Sequence, residues 1–398
     1  MAKKLLGVGD VQISKLAKKY INQIIDTKRI TYGKFISGFE KEFSQLHHVK
    51  YSIFCNSGTS ALQASLHALK AYYNWKDNDE IIVPALTFVA TINTVLQNNL
   101  KPVFVDVEPD YFMIDPLKII PKISSRTKAI IPVHIAGQPA DMNPIMKIAN
   151  KYKLKVIEDS CETVFARYKN KPVGSFGEFS CFSTYAAHIL ITGVGGMICT
   201  NNASLAVKAK SLVNHGRDGI YTSIDDDQLK KGKELFDIVE RRFNFIDTGY
   251  SYRATEFEGA LGLAQLKNWK NDIKKRLKNV AYLTKGLKDL ETFLQLPKIR
   301  SESEHVFMFY PMIVINKKIE REKLVFYLEK NLIETRYLLP LLSQPIYKKI
   351  FGDIDNQYPI AQNLSKNGFY IGCHPGLKKE DLDYIIYKFH QFFSSRNH

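Results

Sequence analysis

Three groups of side chains in this sequence are suited to chemistry. The first lies in Val156-Ile157-Glu158-Asp159-Ser160-Cys161-Glu162, where an apolar run ends in acidic residues. If that run is a parallel strand, its carboxyl end is where open α/β sheets bind ligands, and Asp159 there can hold a ring nitrogen protonated. Asp159 and Glu162 can equally cap the segment that follows. The second is His188, in Phe182-Ser183-Thr184-Tyr185-Ala186-Ala187-His188, just ahead of Gly193-Val194-Gly195-Gly196. Histidine exchanges protons near neutral pH, although a lone one in an apolar stretch is more often a hydrogen-bonded core residue. The third is Asn56-Ser57-Gly58-Thr59-Ser60-Ala61-Leu62, a strand-to-helix turn rich in small hydroxyl residues. Free N–H groups and partial positive charge at a helix start suit a phosphate. Simple capping by Ser57, Thr59 or Ser60 is the commoner use of such a turn.

These residues need a frame, and the pattern of the chain supplies one. From residue 51 onward, β-rich apolar runs at 81–83, 102–107, 129–133 and 155–157 alternate with helix-like stretches such as 60–73 and 143–151. That alternation predicts an α/β fold with a mostly parallel sheet, whose doubly buried strands read as continuous apolar runs. Helical spacing at 13–25 and 35–46 predicts an N-terminal helical arm. The pattern changes around residues 245–253. A long helical stretch at 254–287, a strand candidate at 306–314 and helices at 320–330 and 379–393 follow. The expected division is 1–250 for a large α/β domain with its arm, and 251–398 for a smaller α+β domain.

Composition narrows the classes. With 398 residues and 45% of them apolar, the chain can bury a large core and a smaller one. The stretch from Phe179 to Val207 carries no formal charge and is long enough to span a bilayer. Its Ser, Thr, Asn and Gly content, with His188 near the middle, points instead to a buried site segment. Met1-Ala2-Lys3-Lys4-Leu5-Leu6 has no signal-length apolar core behind it, so the expected location is cytoplasmic. Cys55, Cys161, Cys181, Cys199 and Cys373 are scattered without a CxxC pair, which argues against a zinc or iron–sulfur site; no metal is expected. A net charge of +16 is spread along the chain rather than gathered in a stripe, so anionic small ligands are expected and nucleic acid is not.

Taken together and in order, these segments resemble the DegT-type sugar aminotransferase family, pyridoxal-phosphate (PLP) enzymes of fold type I. The matching features are Ser57-Gly58-Thr59, Pro84-Ala85-Leu86-Thr87-Phe88, Glu158-Asp159, Gly174-Ser175-Phe176-Gly177, Phe182-Ser183, Gly195-Gly196, Asn214-His215-Gly216 and Gly249-Tyr250. Family members mostly carry a lysine, which binds PLP covalently, where this chain has His188, and commonly glutamine where it has Glu162. There is no lysine here from Pro172 to Val207. The histidine form is similar to the subgroup of GDP-4-keto-6-deoxy-D-mannose 3-dehydratases. The resemblance implies that Asp159 pairs with the pyridine nitrogen and Phe88 stacks on the ring. It implies that Gly58, Thr59 and Ser183 bind the phosphate, that Glu162 hydrogen-bonds beside the cofactor, and that His215 is an active-site histidine. Ser251 stands where the family commonly has asparagine reaching the PLP phosphate of a partner subunit, and Phe88 where the similar subgroup has tryptophan.

Histidine can shuttle a proton but cannot anchor PLP, so the resemblance implies free PLP or pyridoxamine phosphate (PMP). His188 is expected to take the C4′ proton as base and, at its ordinary pKa of about 6.5, to return it as acid when the C3 hydroxyl leaves a nucleotide-linked 4-keto sugar. L-glutamate would regenerate PMP, ammonia would be released, and the chain would work as a homodimer in deoxysugar synthesis, such as that of lipopolysaccharide O-antigen. Three other readings stay open: a CDP-sugar dehydratase with an iron–sulfur cluster, disfavoured because only Cys373 follows Cys199; an aminotransferase with His188 repurposed; and a non-catalytic binder that kept the fold.

Overall fold

Doubly buried apolar runs assemble as the central sheet. The computed structural model describes residues 4–218 and 230–394. Its main sheet has seven strands: β1 (Tyr51–Cys55), β2 (Glu80–Pro84), β3 (Lys101–Val105), β4 (Thr127–Ile130), β5 (Lys155–Asp159), β6 (Phe179–Ser183) and β7 (Gly196–Thr200). They lie in the order β1-β7-β6-β5-β4-β2-β3, and all neighbours are parallel except those of β7, which is antiparallel to both β1 and β6. Every position of β2, β6 and β7 is buried, which is why their sequences lack the alternation of a half-exposed strand. The charge-free run thus contains two core strands and the loop between them. Among the described residues no helix is long and apolar enough to cross a membrane.

Helix Gly58–Tyr72 packs against β6 and β7 and is buried on most of its surface. The first two helices are Lys15–Thr27, capped by Ser14, and Lys34–His47. The start of the second is held by Glu256, whose carboxylate accepts the N–H groups of Gly33 (2.9 Å), Phe35 (2.8 Å) and Ile36 (3.0 Å). The expected helical stretch at 254–287 is two helices, Glu256–Gln265 and Trp269–Gly286, because Asn268 breaks the run and turns its side chain forward to Asp272 (3.1 Å).

Beyond these, an antiparallel four-stranded sheet runs in the order Leu294–Gln295, Tyr310–Val314, Gly368–Ile371, Thr335–Tyr337. With helices Arg321–Lys330 and Lys379–Ser394 it closes a second apolar core that also takes in Leu6. The strand expected at 306–314 begins only at Tyr310. Upstream, Val306 and Met308 donate their N–H groups to Gly137 (2.9 Å) and Ala136 (2.8 Å) instead. We propose the division near residue 250 as the domain boundary, although Phe309, Leu338, Leu341 and Leu364 beyond it join the core of the main sheet and helix Glu256–Gln265 packs on helix Lys34–His47.

One buried carboxylate organises the middle of the large unit. Glu158 accepts N–H groups from Gly174 (2.7 Å), Phe176 (2.7 Å) and Gly177 (2.9 Å), and a hydrogen bond from His134 Nε2 (3.2 Å). His134 Nδ1 is occupied by the Ala140 N–H (2.9 Å), so Nε2 carries the proton. Glu158 and the 174–177 turn are therefore structural. Glu158→Ala strands these donors in the core and is expected to cost on the order of 3–5 kcal/mol. Urea unfolding followed by circular dichroism measures it; an unchanged midpoint contradicts this role.

Candidate active site

The carboxyl ends of β5 and β6 meet the start of helix Gly58–Tyr72, and the site is built there. Asp159, the last residue of β5, is only 4% exposed. Its Oδ2 accepts from the Thr91 hydroxyl (2.8 Å) and its Oδ1 from the Cys161 N–H (3.2 Å). Burial nevertheless pushes its pKa up, and these two hydrogen bonds only partly offset that. Such a carboxylate calls for a cationic or proton-sharing partner in the cavity, and a protonated pyridine nitrogen is one. Thr91 is missing from the sequence reading. Its one signal is its position a helical turn after Phe88, in helix Val89–Gln97.

Beside it lies an anion cradle. Ser57 takes the capping role, its Oγ accepting the Ser60 N–H at 3.0 Å, which leaves the Gly58 and Thr59 N–H groups at the helix tip. A Cβ on Gly58 would stand 2.7 Å from Ser183 Cβ and 2.8 Å from Cys161 Sγ. Only glycine lets the helix start come this close to the end of β6. Gly58 and Ser183 therefore share one cradle, with Thr59 on its exposed side. A phosphate fits these donors and the helix charge.

His188 sits in the loop between β6 and β7. Its Nδ1 lies 2.6 Å from the Cys161 carbonyl oxygen, so Nδ1 is the protonated nitrogen and Nε2 carries the free lone pair. The residue is partly buried, and desolvation of its ring lowers the pKa to about 4, with the Cys161 bond opposing. The ring is neutral at pH 7. In that resting form Nε2 can take up a proton, and the proton so gained is the one it can return; what departs from the expectation is the pKa, about 4 rather than the ordinary value of about 6.5.

Glu162 has the opposite perturbation. Burial raises its carboxyl pKa to about 7; the Ala136 N–H, donated to Oε2 at 3.0 Å, opposes this and nearby Asp159 adds to it. Ala136 and Gly137 form the turn clamped by Val306 and Met308, and a Cβ on Gly137 would meet Phe307 N at 2.6 Å. The C-terminal unit thus fixes the turn that holds Glu162.

Phe88 is 58% exposed and leads directly into the turn that carries Thr91. Its ring is open to a ligand. His215 and Ser251 are not joined to the buried group. They form an exposed patch with Arg253, whose guanidinium is 2.9 Å from both His215 Nε2 and Ser251 Oγ. The His215 pKa is lowered by desolvation and then by Arg253. Arg253, three residues beyond Tyr250 in the Gly249–Arg253 segment, went unassigned in the sequence reading. Among the described residues no group of three or more His, Cys, Asp or Glu side chains could hold a metal ion.

A family model described as the DegT/DnrJ/EryC1/StrS aminotransferase family matches residues 11–390. GDP-perosamine synthase of Caulobacter vibrioides is 34% identical over 372 residues, covering 93% of each chain. Among solved structures, an E. coli GDP-4-keto-6-deoxy-D-mannose-3-dehydratase with bound hydrated PLP superposes with a TM-score of 0.86 at 27% identity, covering 97% of this chain and 99% of that one. The Helicobacter pylori aminotransferase PseC, involved in the biosynthesis of pseudoaminic acid, gives 0.86 and 27%, covering 98% and 100%. This chain belongs to the DegT/DnrJ/EryC1/StrS aminotransferase family and has the fold type I of PLP-dependent transferases.

Proposed function

We propose that this protein is a PLP- or PMP-dependent 3-dehydratase of a nucleotide-linked 4-keto-6-deoxyhexose, with L-glutamate restoring the amino cofactor and ammonia released. The observation that carries the reading is His188: its loop holds no lysine, and its imidazole is oriented by the Cys161 carbonyl with Nε2 free. The cofactor, when bound, supplies an electron sink for the pair released at its C4′ carbon. Asp159 holds the ring nitrogen's proton, Phe88 covers the ring, and Gly58, Thr59 and Ser183 take the phosphate.

Removal of the C4′ proton is assigned to His188 Nε2. His188 rests neutral near pH 7, the form that accepts a proton and becomes imidazolium on doing so, while Glu162 rests protonated up to about pH 7; delivery of a proton to the departing C3 oxygen is therefore assigned to Glu162. Environments that push two titratable groups in opposite directions divide acid from base in this way. The exposed His215, Ser251 and Arg253 patch is assigned to the partner's cofactor phosphate in a cytoplasmic homodimer. The 34% identity to a GDP-perosamine synthase favours a second reading, transfer of the amino group to the sugar.

The His188→Lys variant distinguishes these roles. It is expected to retain PLP through denaturation after borohydride reduction and to lose at least about 10²-fold in dehydration rate. Undiminished dehydration would overturn His188 as the base.

The pH profile follows from the two pKa values. His188 must be neutral, so kcat/KM is lost as pH falls through about 4; Glu162 must be protonated, so it is lost as pH rises through about 7. Stopped-time assays from pH 3.5 to 9 on wild type and Glu162→Gln measure it. The variant is expected to be slower by roughly 10²-fold and to lack the alkaline limb. An alkaline limb that persists in the variant removes Glu162 from the role of acid.

A further inference from the structure

The loop that carries His188 is tied at its base by its own backbone. Thr184 N–H donates to Gly195 (2.9 Å), Ala186 N–H to Gly193 (3.1 Å), and Thr192 N–H to Thr184 (2.8 Å). Above these rungs the apex is packed through Leu190 in the apolar core and Ala187 against Gly9, and among the described residues two sets of hydrogen bonds tie it to the rest of the molecule. One is the bond from His188 itself to the Cys161 carbonyl. The other comes from a residue 74 positions away: Gln265 accepts the Ile191 N–H on Oε1 (3.0 Å) and donates Nε2 to the Ile191 carbonyl. A primary amide matched to both polar groups of one residue imitates a strand partner and fixes that residue in position and rotation.

The anchor behind the clasp is firm. Gln265 ends helix Glu256–Gln265, whose first residue, Glu256, accepts three N–H groups at the start of helix Lys34–His47. Gly262, one turn before Gln265, packs so closely on Phe39 that a Cβ there would lie 2.6 Å from its ring. The groups that hold the phosphate and the ring nitrogen, Gly58, Ser183 and Asp159, stand on other elements.

We infer that Gln265 is a positioning residue for His188: by clasping both backbone groups of Ile191, it holds the 184–195 loop where His188 Nε2 can reach the reacting carbon. This rests on the role given to His188 above, but the clasp itself is testable without the reaction. A proton transfer depends steeply on placement, and a displacement of about 1 Å can cost about 10²-fold. Cofactor binding, which uses other elements, stays.

Two variants test it. Gln265→Met keeps the length and removes both bonds; Gln265→Glu keeps the acceptor and regains a donor only when its carboxyl is protonated. Hydrogen–deuterium exchange on the cofactor-free protein is expected to rise for Gln265→Met in residues 184–195 and to stay unchanged in residues 54–72 and 155–163. With cofactor and sugar, kcat is expected to fall by roughly 10–100-fold with KM and bound PLP held within about twofold. Gln265→Glu is expected to recover toward wild type, in both exchange corrected for intrinsic rate and relative kcat, as pH falls and its carboxyl protonates. Unchanged exchange at 184–195 in Gln265→Met overturns the clasp. Raised exchange with an unchanged kcat overturns the link to His188. Should Gln265→Met not fold, Gln265→Glu decides alone: no recovery at acid pH overturns the proposal.

Discussion

A carboxylate taken out of water must find a positive or proton-sharing partner, or it costs the fold several kcal/mol. Asp159 is such a group, and much of the large unit serves to put it where it is. Its two parallel neighbours in the sheet, β4 and β6, bring the end of β5 to the crevice. Helix Val89–Gln97 aims Thr91 at one oxygen and the following turn aims the Cys161 N–H at the other. Two neutral donors do not balance the desolvation, which is why its pKa stays raised. The site thus has an electrostatic need that a protonated heterocycle meets.

The same turn serves several groups. Cys161 gives its N–H to Asp159, its carbonyl to His188, and its sulfur to the wall against Gly58. One residue therefore couples Asp159, His188 and Gly58, the groups proposed for the ring nitrogen, the proton transfer and the phosphate. The C-terminal unit joins in through Val306 and Met308, which clamp the Ala136 turn against Glu162. Glu162 and His188 are thereby set by both units, while the Gly58–Ser183 cradle proposed for the phosphate belongs to the large one.

How much of this can be read in the sequence depends on how local each cause is. The strand ending in Asp159 is legible because a doubly buried strand is a continuous apolar run and its acidic end breaks it. Gly58 is legible as part of a turn, yet its reason, the approach of Ser183 and Cys161, comes from residues more than 100 positions away. β6 and β7 hide within the charge-free run, since full burial erases the alternation that marks a strand. His215 and Ser251 carry the right side chains but lie on an exposed patch with Arg253. The pKa of His188 depends on desolvation by the packed fold, which spacing does not encode; the ordinary value of about 6.5 is what a sequence reader assigns. Thr91 and Gln265 act across 68 and 74 residues, so nothing beside them in the chain announces their partners.

The most direct measurement follows the nitrogen. The purified protein is loaded with PLP and incubated with ¹⁵N-labelled L-glutamate and GDP-4-keto-6-deoxy-D-mannose, and the products are resolved by mass spectrometry and NMR. A site that works by proton transfer through His188 and Glu162 is predicted to release the label as ammonium and leave a nitrogen-free 3-deoxy-4-keto sugar. Label retained in a stable 4-amino sugar with its C3 hydroxyl intact would contradict the account.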